Sequence, residues 1–376
     1  MKFLKFFLAF IQLSTINLAA ITLETVYAES GSQTTQRTYI EEIEKAPLIL
    51  GNDDLGNNSL QESIYNLLNN AQDSILIISF TFSDPEVIRI VNQKASEGID
   101  VLLIIDRDHL NFNGQLYHSI KIGTRLSGEG HLHHKMLVVD HKYIWLGSAN
   151  FTQSAFTSSK NLAIAFFSPE IAGHLYQEAL DIASSSRRIN SQPLSCSLEN
   201  QRLELYLLPH NPPENPRFIE TTMNDIAKQK LISLIDNANH NIKISVDVWT
   251  YKDASRSVIN AMKRGVKVDV VVGSRADEAV KMLIQSGIDV KQGKNLHYKC
   301  MLVDNRILLN GSPNWSMNAF SRSDESFIVL YDLTEEQLES LEGPLKAAGL
   351  PLSAHFNAIG VYTKFFKTRE LELLSA

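Results

Sequence analysis

The chain has 376 residues, enough for two domains of about 150 residues each or for one duplicated unit. With 44% hydrophobic and 20% charged residues its composition is that of an ordinary globular protein, which excludes a low-complexity or disordered chain. A formal net charge of −7 supplies no overall basic field for gathering nucleic acid, although a local basic groove remains open.

Lys2 and Lys5 precede an apolar stretch over residues 6–23, and Val26-Tyr27-Ala28 before Glu29 forms a small-residue cleavage pattern. Residues 1–28 are therefore expected to be a signal peptide, which gives a secreted or periplasmic protein. The alternative is an uncleaved membrane anchor, since the stretch is long enough to span a bilayer. The polar residues Gln12, Ser14, Thr15, Asn17 and Thr22 inside it favour cleavage.

A first unit is expected over residues 38–187. It opens with a short strand at 48–50, then a helix over 60–70, a β-rich run over 74–82 and a helix over 85–96. Gly98 ends that helix where a left-handed residue is wanted, and an apolar strand at 99–105 follows. Residues 188–202, Ser-rich and broken by Pro193, read as a linker. The second unit, 203–350, repeats the pattern. It has a strand at 203–208, a loop with four prolines at 209–216, a helix over 225–237, a strand at 241–249 and a helix over 254–264. Gly265 and a strand at 266–272 then lie 167 positions after their counterparts. A short helix over 334–342 precedes a tail, 351–376. Alternating strands and helices in both units predict an α/β fold of two similar lobes, each a mixed sheet flanked by helices. Cys196 in the connector and Cys300 in an apolar strand read as one exposed and one buried free thiol.

One short phrase is written twice. His133-His134-Lys135, four residues, Asp140, six residues and Gly147-Ser148-Ala149-Asn150 recur as His297-Tyr298-Lys299, Asp304 and Gly311-Ser312-Pro313-Asn314, 164 positions later. Side chains two apart on a strand share a face, so each histidine points the same way as its lysine. Asp140 and Asp304 fall at odd spacing, point to the other face, and are expected to be structural, capping the turn that follows each of them. A catalytic role for the aspartates is the alternative. Gly147 and Gly311 would let the backbone approach a ligand closely. Ser148, Asn150, Ser312 and Asn314 would supply neutral hydrogen bonds to a phosphate, or would cap the following helix.

His131, His133 and His134 are clustered, but only His133 has a counterpart in the second copy, so no metal and no cofactor is expected. Trp145, Trp249 and Trp315 read as core or pocket wall, and His109, His118, His210 and His240 as surface residues.

Both phrases resemble the paired HKD motifs of the phospholipase D superfamily, and the similarity covers roughly residues 45–335. The resemblance implies a single site at a pseudo-twofold seam between the lobes, and a monomer that is an intramolecular pseudo-dimer, one chain supplying both halves. It implies a phosphohistidine intermediate, with one histidine attacking phosphorus and the other protonating the leaving alcohol. Lys135 and Lys299 would take the place of a divalent metal in meeting the charge on the diester. The superfamily usually has a carboxylate eleven residues after the motif asparagine. The second copy has Glu325 there and the first has Asn161. A carboxylate raises the pKa of a neighbouring imidazole, so His297 is expected to pair with Glu325 as general acid, leaving His133 as nucleophile. The resemblance implies a phospholipase D-like phosphodiesterase acting on phospholipid, with possible contact to a membrane surface. A secreted nuclease or a phosphatidyltransferase of the cardiolipin-synthase type shares the motifs and is the alternative. A non-catalytic binding protein is a further one.

Overall fold

The computed structural model describes residues 40–53, 58–110, 112, 115–125, 130–184, 192–198, 200–208 and 223–352. The expected signal peptide, the proline-rich loop and the tail beyond residue 352 lie outside the described residues.

Two mixed sheets organise the chain. The first contains β1 (Leu48–Gly51), β2 (Ser74–Ser79), β3 (Asp100–Ile105), β4 (Lys121–Gly123), β5 (Lys135–Val139), β6 (Tyr143–Gly147) and β7 (Leu162–Phe167). Its spatial order is β1-β7-β6-β5-β2-β3-β4, with β2, β3 and β4 parallel and the remaining pairs antiparallel. The second contains β8 (Leu194–Leu198), β9 (Gln201–Leu208), β10 (Asn241–Val246), β11 (Lys267–Val272), β12 (Val290–Gln292), β13 (Lys299–Val303), β14 (Ile307–Gly311) and β15 (Glu325–Leu330). Its order, β12-β11-β10-β13-β14-β15-β9-β8, repeats the first apart from the extra edge strand β8. The expectation of two similar mixed α/β lobes holds.

Helices α1 (Ser59–Asn69) and α2 (Pro85–Ser96) cover the outer face of the first sheet. Asp84 caps α2, its side chain accepting from the N–H groups of Glu86 and Val87, with Pro85 at the first helical position. Gly98 (φ 93°) and Gly265 (φ 95°) take the left-handed conformation their positions required. A five-residue helix, α3 (Gln153–Thr157), follows the first motif, and α4 (Pro169–Ser184) follows β7. In the second lobe α5 (Met223–Asp236), α6 (Lys252–Lys263) and α7 (Glu278–Gln285) form the outer layer. The short α8 (Met317–Ser321) matches α3, and α9 (Glu335–Ala347) matches α4.

The central core lies between the lobes. The inner faces of both sheets, represented by Ile78, Met136 and Ile164 on one side and Leu205, Leu302 and Ile328 on the other, pack with α4 and α9 in one cluster. Hydrophobic burial over both sheet faces explains why β2 reads as an unbroken apolar run.

Three expectations need correction. Part of the expected linker is strand β8, antiparallel to β9. Leu194, Cys196 and Leu198 lie half-buried against the central core while Ser195 and Ser197 face solvent, a period-two pattern. Cys196 is therefore half-buried rather than exposed; both cysteines are free thiols. The last helix is also longer than expected, running to Ala347 through Pro344. It reaches the first lobe, where the Gln337 Nε2 donates to the carbonyl of Pro47 at 2.7 Å.

Candidate active site

Each motif histidine stands at a place where the two lobes exchange backbone hydrogen bonds. The His133 N–H donates to the carbonyl of Asp324 at 2.8 Å, and the His297 N–H to the carbonyl of Lys160 at 3.1 Å. Leu132 and Asp324 form one parallel bridge, and Lys160 and Leu296 the other. The segment leading into each motif therefore pairs with the segment leading into the last strand of the opposite sheet. Arg125 reinforces the seam, with its Nε 3.7 Å from the buried Asp324 carboxylate.

This exchange decides which residue orients which imidazole. The Nδ1 of His133 lies 2.9 Å from Oε2 of Glu325, and the Nδ1 of His297 lies 2.8 Å from Oδ1 of Asn161. The expected pairing of Glu325 with His297 is thus reversed, because β15 begins against the other lobe's motif. The Asn161 Nδ2 donates to the carbonyl of Ala155 at 2.9 Å, which fixes Oδ1 as the acceptor facing His297. His297 must then carry a proton on Nδ1.

Ser148 and Ser312, expected at the phosphate, are fully buried behind the orienting groups. The Ser148 hydroxyl donates to Asn161 Oδ1 at 2.9 Å, and the Ser312 hydroxyl to Glu325 Oε2. They hold the residues that hold the imidazoles. Gly147 and Gly311 also answer to a neighbour and not to a ligand: a Cβ there would sit 2.3 Å from the carbonyl oxygens of Leu162 and Ser326 on the adjacent strand. Asn314 stays at the strand-to-helix turn, its Oδ1 accepting from the Val248 N–H at 3.3 Å. Asn150 occupies the matching place and its Oδ1 is buried without a partner among the described residues.

The motif aspartates have a longer reach than a local cap. Asp140 accepts from the N–H groups of Gln72, Asp73 and Ser74, which start β2, at 3.0, 2.8 and 3.2 Å. Asp304 does the same for Asn239, His240 and Asn241 before β10, at 2.9, 2.7 and 2.9 Å. Both aspartates sit at positive φ, 52° and 51°, in the three-residue hairpin loops 140–142 and 304–306, where the next residues, His141 and Asn305, are also left-handed.

Both lysines are buried and bend back to the carbonyls of their own histidines, Lys135 at 2.6 Å and Lys299 at 2.9 Å. The four groups share one electrostatic environment. Burial, followed by the charges of Lys135 and Lys299, holds the His133 pKa well below its ordinary value. Burial and the same two lysines act likewise on His297. Burial lowers Lys135 strongly and brings Lys299 to about 8, opposed there by Asp247 and Glu325. Burial pushes Glu325 up to about 7, against the pull of Lys135 and the Ser312 hydroxyl. Both imidazoles are thereby biased towards the neutral form in the free protein.

The other histidines of the cluster diverge. His134 is buried with its Nε2 3.4 Å from Glu178, and His131 is exposed. Asp106, Asp108 and His131 bring one possible ligand atom each within 4.8 Å, yet both Asp106 oxygens already accept backbone N–H groups, from Asp108 and Leu132. Trp145, Trp249 and Trp315 are core residues. His118 and His240 are exposed, His109 is half-buried, and His210 lies outside the described residues. Two site residues were missed. Phe80 stands edge-on to the rings of His109, His131 and His133, at 4.5, 5.2 and 5.4 Å between centroids. Asp247 approaches Lys299 at 3.7 Å. Each immediately follows the central strand of its lobe, β2 or β10, a position that the repeat singled out without using.

The family described as cardiolipin synthase, PLD-like domain, matches residues 64–182 and 231–342, one segment per lobe. Two such segments, each carrying a motif and together making up more than half of the sequence, place the chain in the phospholipase D-like family. The mitochondrial cardiolipin hydrolase of Chlamydomonas reinhardtii is 31% identical over 112 residues, 27% of this chain and 49% of that protein. That of Danio rerio is 28% identical over 125 residues, 32% of this chain and 55% of that protein. The chain thus spans about half the length of these curated relatives. The fold is similar to that of phosphatidylserine synthase from Haemophilus influenzae Rd KW20, with a TM-score of 0.60 at 13% identity, covering 90% of this chain and 98% of that one. Polyphosphate kinase from Porphyromonas gingivalis is similar at a TM-score of 0.54 and 12% identity, over 80% of this chain and 46% of that one.

Proposed function

We propose that this protein is a phosphodiesterase that hydrolyses or transfers the phosphatidyl group of phospholipids through a phosphohistidine on His133. The observation that carries the reading is the reciprocal seam, with two imidazole–lysine pairs converging and each imidazole oriented by the opposite lobe.

The unequal orienting groups divide the labour. When the Nε2 of His133 attacks phosphorus, the N–P bond forms, the head-group P–O bond breaks and the imidazole ring becomes cationic. Glu325 at its Nδ1 offsets that charge. His297 faces the neutral Asn161 and keeps its Nδ1 proton. An arriving diester brings negative charge that raises the His297 pKa, so Nε2 gains a proton and delivers it to the leaving alkoxide. Water or a second alcohol then gives its proton back to His297 as its oxygen attacks phosphorus, and the N–P bond breaks. Lys135, Lys299, Asn150 and Asn314 meet the non-bridging oxygens. With the lysines supplying this charge, activity in the presence of a chelator is expected.

The names of the matched family and of the curated relatives support a lipid diester. So does the rim: Val248 and Met317, flanking Asn314, are large apolar side chains left 38% and 50% exposed. Their counterparts in the first lobe are the polar residues Thr81 and Gln153. Such a lip suits a membrane surface. Export through residues 1–28 remains part of the proposal; among the described residues no helix is long and apolar enough to cross a membrane.

Incubation with phospholipid vesicles and, separately, with single- and double-stranded DNA tests the reading. Head group released by the wild type and not by His133→Ala supports it, and added ethanol giving phosphatidylethanol shows transfer. Cleaved DNA with intact lipid selects the nuclease, and inactivity of the folded protein on every diester overturns the proposal.

A further inference from the structure

We propose that Asp247 selects the head group, its carboxylate receiving the ammonium of an amino-alcohol on the His297 side of the site. The inference rests on the phosphatidyl-transfer reading above and deepens it by naming the class of head group.

The two lobes superimpose their hydrogen bonds around this position. The Asp106 N–H donates to the carbonyl of Ser79 at 3.2 Å, as the Gly273 N–H does to that of Val246. Phe82 bridges Phe151, as Trp249 bridges Trp315. The equivalent pairs are therefore Phe80 with Asp247 and Asp106 with Gly273, and the acidic residue has changed strands between the lobes.

Its surroundings changed as well. In the first lobe the Asp106 carboxylate is buried and tied to the N–H groups of Asp108 and Leu132, at 3.0 and 2.8 Å, which makes it structural. In the second lobe Asp247 keeps a side chain 30% exposed, and among the described residues the Lys299 ammonium, at 3.7 Å, is its one side-chain partner. The backbone makes room for it. A Cβ on Gly273 would stand 2.5 Å from Asp247 Oδ1, so the bare glycine is what lets the carboxylate lie there.

A carboxylate beside a phosphate-binding lysine opposes an anionic diester. The first lobe has Phe80 at the same place, and the carboxylate that acts on its lysine, Asp106, is buried and held by backbone N–H groups, whereas Asp247 is partly open to a ligand. The opposition is relieved when the substrate itself carries a positive group near that point. Lys299 lies two residues after His297, the proposed acid, so Asp247 sits where the leaving alcohol departs. The head group is the part of the lipid found there, and an ammonium on it would meet the carboxylate.

The test compares kcat/KM on phosphatidylethanolamine and phosphatidylglycerol in the same carrier vesicles, using the full-length wild type, Asp247→Asn and Asp247→Ala. The wild type should prefer phosphatidylethanolamine, and both variants should lower the ethanolamine-to-glycerol ratio by about tenfold or more, the usual weight of a charge-assisted hydrogen bond. If Asp247 only steadies Lys299, both substrates lose equal factors and the ratio stays fixed, which overturns the proposal. Equal wild-type use of the two lipids overturns it without any variant. A His133→Ala protein separates the two layers of argument. If it is inactive while the ratio ignores Asp247, only the head-group assignment fails. If it retains wild-type activity on both lipids, the phosphatidyl-transfer reading itself fails.

Discussion

Asn161 and His297 are 136 residues apart in sequence and 2.8 Å apart at the seam, and their contact mirrors that of Glu325 with His133. Neither half-site is complete within its own lobe. A neutral amide on one imidazole and a carboxylate on the other turn a nearly symmetric scaffold into one with two distinct chemical roles.

Exchanging these partners should separate the roles. Glu325→Gln is expected to lower kcat by about 10²–10³ on any diester, since formation of the cationic phosphohistidine always needs a counter-charge. Asn161→Ala should cost about 10²-fold with an alkyl leaving group and far less with p-nitrophenol, which leaves without a proton donor. Leaving-group dependence of kcat in the two variants is the measurement; equal losses for both leaving groups in Asn161→Ala would move the acid away from His297.

The pH profile of kcat/KM should be bell-shaped and narrow. Glu325, raised to about 7 by burial, must be ionised to offset the imidazole charge, so activity falls as pH drops through that value. Lys299, brought down to about 8 by burial, must be charged to meet the phosphate, so activity falls above it. Arginine does not titrate in this range. Lys299→Arg should therefore shift the alkaline limb at reduced maximum rate, the limb that is left belonging to Lys135, which burial also lowers, and Glu325→Gln should lose the acid limb.

Stability gives an independent reading of Glu325. Its raised pKa means that the native state binds more protons than the unfolded state between its ordinary value of 4.5 and about 7. Its contribution to stability therefore declines as pH rises through that window. Denaturant unfolding of wild type and Glu325→Gln across pH 4–8 should show the variant gaining relative stability as pH rises.

Asp140→Ala and Asp304→Ala should each cost about 1–3 kcal/mol, because each strands three backbone N–H groups at the start of a central strand. For Asp304 burial works to raise the pKa, and the three N–H donors outweigh it and hold it below 3.8. Its stabilisation is complete above that value and is lost as pH falls through the lowered one. Chemical denaturation measures the cost, and the variants that fold should keep their pH–rate profile.

The apolar rim predicts a vesicle-specific defect. Met317→Glu should reduce binding to and turnover of anionic vesicles while sparing a soluble diester reporter. Sedimentation with vesicles reads the first effect and reporter hydrolysis the second; equal losses in both would remove the membrane role from this face.

Much of the fold was legible because its signals are local. The repeat at offsets of 167 and 164, the glycines ending α2 and α6 and the apolar runs of β2 and β10 each depend on neighbours a few residues away. Strand β8 was legible too, in Leu194-Ser195-Cys196-Ser197-Leu198, but the serines and Pro193 outweighed its alternation. The buried Ser148 and Ser312 were misplaced for a different cause. A serine after a glycine looks the same whether its hydroxyl meets a ligand or the next strand's side chain.

By itself the sequence determined the chemistry available: an imidazole, an ammonium and an amide, each in duplicate, with imidazole and ammonium in phase, because side-chain alternation along an extended segment is a property of consecutive residues. Tertiary structure alone decided the allocation of Glu325 to His133, of Asn161 to His297 and of the aspartates to strands β2 and β10. Those partners are 63 to 192 residues apart: the meeting of the two lobes brings the orienting groups to the histidines, and the pairing of β5 with β2 and of β13 with β10 brings the aspartates to their strands, neither of which a local pattern encodes.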